Sequence, residues 1–150
     1  MNQTAKNLCS LIQLDIDAVR AYEQALKNID HIEIKDTIRG FQQDHERHTQ
    51  DLSEEVRKLG EKPPELTPDL KGFVLEGFTA IRSLTGTEGA LKAMATNEKI
   101  TNKNYEDALT WDMPLEIKEI VRKNYEDEKR HLSYINDAIS RQLWKQTEQA

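Results

Sequence analysis

The sequence predicts an all-α protein, a four-helix bundle of two helical hairpins joined by a long crossover that contains a short helix. Three observations carry this. Apolar residues recur at steps of three and four along four long segments, the spacing of helices that bury one face. Six glycines and four prolines in 150 residues leave those segments largely unbroken. Two of the links between them are short, and one is long.

The first helix is expected over about residues 4–29, with Asp30 and His31 as a short turn and His31 in solvent. The second spans about 32–59, and Gly60 supplies a C-terminal stop. A proline-rich loop follows over 61–68, and Thr67-Pro68 reads as the cap and first position of a short helix at about 68–84. Residues 85–89 break the pattern. The third long helix covers about 90–110, a turn falls at 112–114, and the fourth covers about 115–144. Short turns make antiparallel neighbours, and the long link can run the length of the bundle.

Size and charge narrow the class. A chain of 150 residues suits one domain, taken here as 1–150, and can bury a core. With 21 basic and 27 acidic side chains its formal charge is −6, which disfavours a nucleic-acid surface. The single cysteine, Cys9, excludes an intrachain disulfide, a four-cysteine zinc site and a rubredoxin-type iron site. It reads as a small apolar filler. No apolar run approaches the ~20 residues that span a bilayer, and the start has no signal-peptide pattern, so a cytoplasmic protein without a membrane partner is expected.

Titratable groups interrupt all four apolar stripes. The stripes run through Leu8, Leu11, Asp15, Tyr22 and Leu26; Ile38, Phe41, His45, His48 and Leu52; Leu91, Met94, Glu98, Tyr105 and Leu109; and Val121, Asn124, Glu128, His131 and Ile135. There is an internal echo. Asp15 precedes Tyr22-Glu23-Gln24-Ala25-Leu26 at the distance at which Glu98 precedes Tyr105-Glu106-Asp107-Ala108-Leu109. His45-x-x-His48 in the second segment answers Glu128-x-x-His131 in the fourth. Counted from the turns at ~1.5 Å per residue, Asp15, His45, His48, Glu98, Glu128 and His131 reach one height. Six such groups in a core must pair, neutralise or bind metal, because an unpaired buried charge costs several kcal/mol. Imidazole and carboxylate are the ligands of iron, manganese and zinc.

The Glu98, Tyr105, Glu128-x-x-His131 half resembles a rubrerythrin or bacterioferritin half-site. Residues 5–142 are similar to bacterial ferritin-like proteins of uncharacterised function. The resemblance implies a caged pair of iron ions held by Asp15, His45, His48, Glu98, Glu128 and His131, with Tyr22 and Tyr105 orienting the carboxylates. It implies oxidase or peroxide-reducing chemistry, a separate protein as electron donor, and a small homo-oligomer, since no fifth ferritin-type helix follows. The chain departs from the pattern in two places. Asp15 and His45 stand where the family has glutamate, and Asp44 is a candidate substitute ligand four residues before His48.

Other readings remain open at this point. Three histidines suit one zinc ion, with manganese a further option for the metal. The same six groups also suit a metal-free structural or stress-associated bundle, whose polar layer pairs His48 with Asp15 and His131 with Glu98. Tyr22 and Tyr105 then act as core residues. Under any of these readings 51–58 and 126–130 are mostly solvated helix faces.

Overall fold

The computed structural model describes residues 2–65 and 86–146. Among them the fold is all-α: α1 is Gln3–Leu26, α2 is Ile32–Lys58, α3 is Gly86–Ala108 and α4 is Leu115–Ser140, followed by a 3₁₀ turn at Leu143–Lys145. No strand occurs among the described residues. The short helix expected at 68–84 lies outside them.

The apolar stripes close two cores, one at each end of the bundle. The first joins Leu26 at the end of α1 and Ile29 just beyond it, Ile34 and Ile38 at the start of α2, Leu91 and Met94 at the start of α3, and Ile135 late in α4. The second joins Leu8, Leu11 and Ile12 of α1, Leu52 and Val56 of α2, Tyr105 of α3, and Ile117 and Val121 of α4. Each fully buried aliphatic side chain contributes about 1.5–3 kcal/mol relative to exposure. The membership of the two cores fixes direction. The helices α1 and α4 run from the second core to the first, and α2 and α3 run the other way. So α2 ends and α3 begins at opposite ends of the bundle, roughly 35 Å apart at 1.5 Å per residue. All six titratable groups lie in the layer between the two cores.

The caps explain the helix limits. Asn2 accepts from the Ala5 N–H at 3.2 Å and starts α1. The helix closes near Leu26, short of residue 29, through Asn28 and Ile29 N–H bonds to the Ala25 and Leu26 carbonyls. His31 is buried, in contrast to its expected exposure. Its Nδ1 accepts from the Ile34 N–H at 3.4 Å, so the ring folds over the start of α2 as its cap. Gly60 holds φ +80°, and the Glu61 N–H returns to the Val56 carbonyl, which satisfies the end of α2.

Two limits differ from the sequence pattern. The third helix is already formed at Gly86 rather than at residue 90. There the Thr87 hydroxyl donates to Asp30 Oδ1 at 2.7 Å and accepts from the Asp30 N–H, tying the helix start to the α1–α2 turn. The tie sits beside Gly86, which enters the helix at φ +80°, a conformation open to glycine. The fourth helix stops at Ser140 rather than continuing to residue 144. Gln142 turns the chain at φ 50°, and Trp144 is thereby laid against the first core.

Candidate metal centre

Asp15, His45, His48, Glu98, Glu128 and His131 all converge at mid-height, each buried. They form two overlapping groups with ligand atoms within 4.8 Å of one another: Asp15, His45, His48 and Glu128, and His45, Glu98, Glu128 and His131. His45 and Glu128 belong to both. Each group therefore holds two imidazoles and two carboxylates, and neither holds all three histidines.

In the first group His45 Nδ1 is 2.7 Å from Asp15 Oδ1 and 3.4 Å from Glu128 Oε1. His48 Nδ1 is 3.1 Å from the same Asp15 oxygen and 3.6 Å from the same Glu128 oxygen. In the second, Glu98 Oε1 is 3.2 Å from His45 Nε2 and 3.4 Å from His131 Nδ1, and His131 Nδ1 is 3.5 Å from Glu128 Oε2. Ligands at about 2.0–2.1 Å from a tetrahedral metal stand about 3.3–3.4 Å apart, so most of these separations match a coordination polyhedron's edges.

A fit to metal also shows in what the cluster leaves undone. Glu128 Oε1 and His131 Nδ1 are buried and make no hydrogen bond. Both point into the centre. Leaving such atoms unpaired costs about 1–3 kcal/mol each, and a cation would satisfy both. The buried histidines, aspartate and glutamates could thus hold a metal ion.

The surrounding residues aim the ligands. His48 Nε2–H donates to Asp127 Oδ2 at 2.9 Å, and His131 Nε2–H donates to Asp44 Oδ2 at 2.8 Å. Each aspartate sits on the opposite helix from the histidine that it holds. This fixes both rings with Nδ1 inward. Arg47 pairs with Asp44 and Asp127, and Arg130 pairs with the same two. The four charges form a closed rim between α2 and α4. Tyr105 donates to Asp15 Oδ2 at 2.6 Å, and Tyr22 donates to Glu98 Oε1. Thr101 donates to Glu98 Oε2 at 3.1 Å, and Asn102 bridges the Glu98 and Glu128 carbonyls. Phe41 stacks on His131 with ring centroids 4.3 Å apart.

Electrostatics follow from this packing. Burial disfavours a charged His48, but Asp15 and then Asp127 outweigh it and raise its pKa to about 10. Burial likewise opposes charge on His131, and the bonds to Asp44, Glu128 and Glu98 carry it to about 9. For His45 the same burial is overcome by Glu128 and Asp15, which hold it well above the usual imidazole range. Burial, reinforced by the neighbouring Glu98 charge, raises Glu128 against the pull of His45.

One expectation needs correction. Asp44 is not in either ligand group; its side chain is 16% exposed and holds His131 from outside. Residues 126–130 are a mostly solvated face, as expected, but two of its residues also reach α2. Asp127, one position from Glu128, turns toward α2 and reaches His48, and Arg130 reaches Asp44. A signal existed: Asp44-His45-Glu46-Arg47-His48 and Asp127-Glu128-Lys129-Arg130-His131 repeat the aspartate and the arginine together with the ligands. Glu46 is exposed, as the helix phase requires.

Among the described residues no helix is long and apolar enough to cross a membrane. A search of curated proteins gave no match. A family model described as a domain of unknown function, DUF2383, matches residues 3–111. The match takes in α1, α2 and α3, with Asp15, His45, His48 and Glu98, and ends before Glu128 and His131. It covers more than half of the 150 residues, and the chain therefore belongs to the DUF2383 family.

Proposed function

We propose that this is a ferritin-like metal-binding protein whose buried centre takes two divalent transition-metal ions, with iron-dependent oxidase or peroxide-reducing chemistry. The observation that carries the reading is the pair of overlapping four-residue ligand groups, with two buried atoms left unbonded at their centre. Asp15 and His48 would hold one ion, Glu98 and His131 the other, and His45 and Glu128 serve both. Iron there would supply the two electrons that reduce oxygen or peroxide. Tyr105 and Tyr22 hold the outer carboxylates in place, and Asp127 and Asp44 hold the histidines. The apolar cores above and below exclude water. With Cys9 the only cysteine, electrons would come from a separate protein.

The test is metal content. Protein purified without chelator or affinity metal is loaded anaerobically with ferrous iron, desalted and analysed for iron per chain. A value near two supports the reading, and oxygen consumption is then assayed. One specific observation favours a second reading, a metal-free polar layer. His45 and His48 already pair with Asp15 at 2.7 and 3.1 Å. Absence of bound iron, and of zinc and manganese in parallel loadings, would favour that alternative.

A further inference from the structure

His45 stands midway between the other two histidines of the centre, its ring centroid 5.5 Å from His48 and 5.2 Å from His131. Its two nitrogens face different ligand groups. Nδ1 is turned to Asp15 Oδ1 and Glu128 Oε1, at 2.7 and 3.4 Å. Nε2 is turned to Glu98 Oε1 at 3.2 Å. Glu128 is divided in the same way: Oε1 faces the group of His48, and Oε2 faces His131 at 3.5 Å. The two residues common to both groups therefore offer a separate atom to each. For a carboxylate this is an ordinary bridge. For an imidazole it is possible only if neither nitrogen keeps a proton.

We infer that His45 is a bridging ligand, binding one metal ion through Nδ1 and the other through Nε2 as an imidazolate. The inference rests on the metal-centre reading above and deepens it. Charge agrees. The carboxylates of Asp15, Glu98 and Glu128 carry three negative charges, and an imidazolate brings a fourth, which two divalent cations balance without an added hydroxide. Outside them, Asp44 and Asp127 are offset by Arg47 and Arg130. The exchange is redox-neutral. At each nitrogen a metal–nitrogen bond replaces any N–H bond, and the displaced protons pass to buffer. His48 and His131 have no such role, because their Nε2–H groups are committed to Asp127 and Asp44.

The test uses the full chain labelled with nitrogen-15 in its four histidines and loaded with zinc alone. Zinc per chain is read by elemental analysis, and the ring nitrogens by long-range proton–nitrogen correlation spectra. The expected result is two zinc ions and one ring of the four with both nitrogens metal-bound and no N–H. The other three keep an N–H. His45→Gln should remove that ring's signals and lower the zinc content; should this variant not fold, the count of rings in the unaltered chain decides by itself. Two zinc ions with an N–H on every ring would overturn the bridge and leave the metal centre standing. One zinc ion per chain would overturn the bridge and the two-ion reading together, leaving a single-metal site. No bound zinc, together with no bound iron in the ferrous loading above, would overturn the metal centre and the bridge together.

Discussion

The half of the centre built on Asp15, His48, Tyr105 and Asp127 and the half built on Glu98, His131, Tyr22 and Asp44 use the same parts in the same order. In each, a tyrosine from α1 or α3 holds the carboxylate of the other of these two helices, and an aspartate from across the α2–α4 seam holds a histidine. They differ in what completes the shell. The Glu98 half has Thr101 on its carboxylate and Phe41 stacked on its histidine. The Asp15 half has alanine at the position that matches Thr101, and Asn124 bonding Tyr105 at the position that matches Phe41. The shared position is His45 on α2 and Glu128 on α4. The frame that orients ligands is thus duplicated within the chain, while the ligands at its centre are not. The difference teaches that orientation is a property of the repeat, and ligand chemistry is a property of single positions.

The largest effects should come from breaking what the halves share. Glu128→Ala removes a ligand from both groups and should take metal content from near two per chain to near zero by elemental analysis. Glu98→Ala removes a ligand from one group only and should leave close to one. If Glu128→Ala retains full metal content, the ligand assignment is wrong. In a metal-free polar layer the same change alters thermal stability alone, since it deletes a buried carboxyl that lacks a full set of partners.

Next come the aspartates that hold the histidines. Loss of such an outer partner commonly costs 10–100-fold in metal affinity. Asp127→Asn should fall in that range in chelator competition. Asp44→Asn should cost less, because Phe41 still pins the His131 ring from its face. Equal losses would show that the stacking does not orient the ring.

Acidity gives a third comparison. Before metal enters, His48 and His131 titrate at about 10 and about 9. Their Nδ1 protons must leave on binding, so metal affinity should rise with pH between 6 and 8, with proton release measurable in weak buffer. Their folded-state pKa values lie above the unfolded value of about 6.5. The stabilisation they give the metal-free protein is therefore complete below that pH and is lost as pH rises through about 9 and 10. The melting temperature of the metal-free chain should fall over that window, and that of the zinc-loaded chain should fall less.

The smallest effects should separate the tyrosines. Tyr105→Phe strips a donor from Asp15 and also strands Asn124 Nδ2, at about 1–3 kcal/mol in denaturant unfolding. Tyr22→Phe should cost less, because Glu98 keeps Thr101. A reversed order would point to Tyr22 as the stronger anchor.

Much of this centre was legible in the sequence because helices are regular. A fixed rise and a fixed turn let six residues be placed at one height and on inward stripes from their distances to two turns. What stayed hidden depends on contacts between elements. Asp127 looked like part of a solvated face because helix phase alone puts it at the edge of the stripe. Only the closeness of α4 to α2 gives it His48 as a partner. His31 looked exposed because a turn residue has no phase to read. The tight α1–α2 link folds it onto the start of α2.

The sequence by itself determined the all-α class, the interrupted stripes and the repeat that places two similar pairs of titratable residues on facing helices. Those follow from local periodicity, which each helix expresses without its neighbours. The tertiary structure decided which way His45 turns, that its nitrogens face separate carboxylates, and that Asp44 holds the histidine of another helix. Those depend on the rotation of packed helices about their own axes. One residue step turns a side chain by about 100° at 3.6 residues per turn, and the sequence fixes no inter-helix angle.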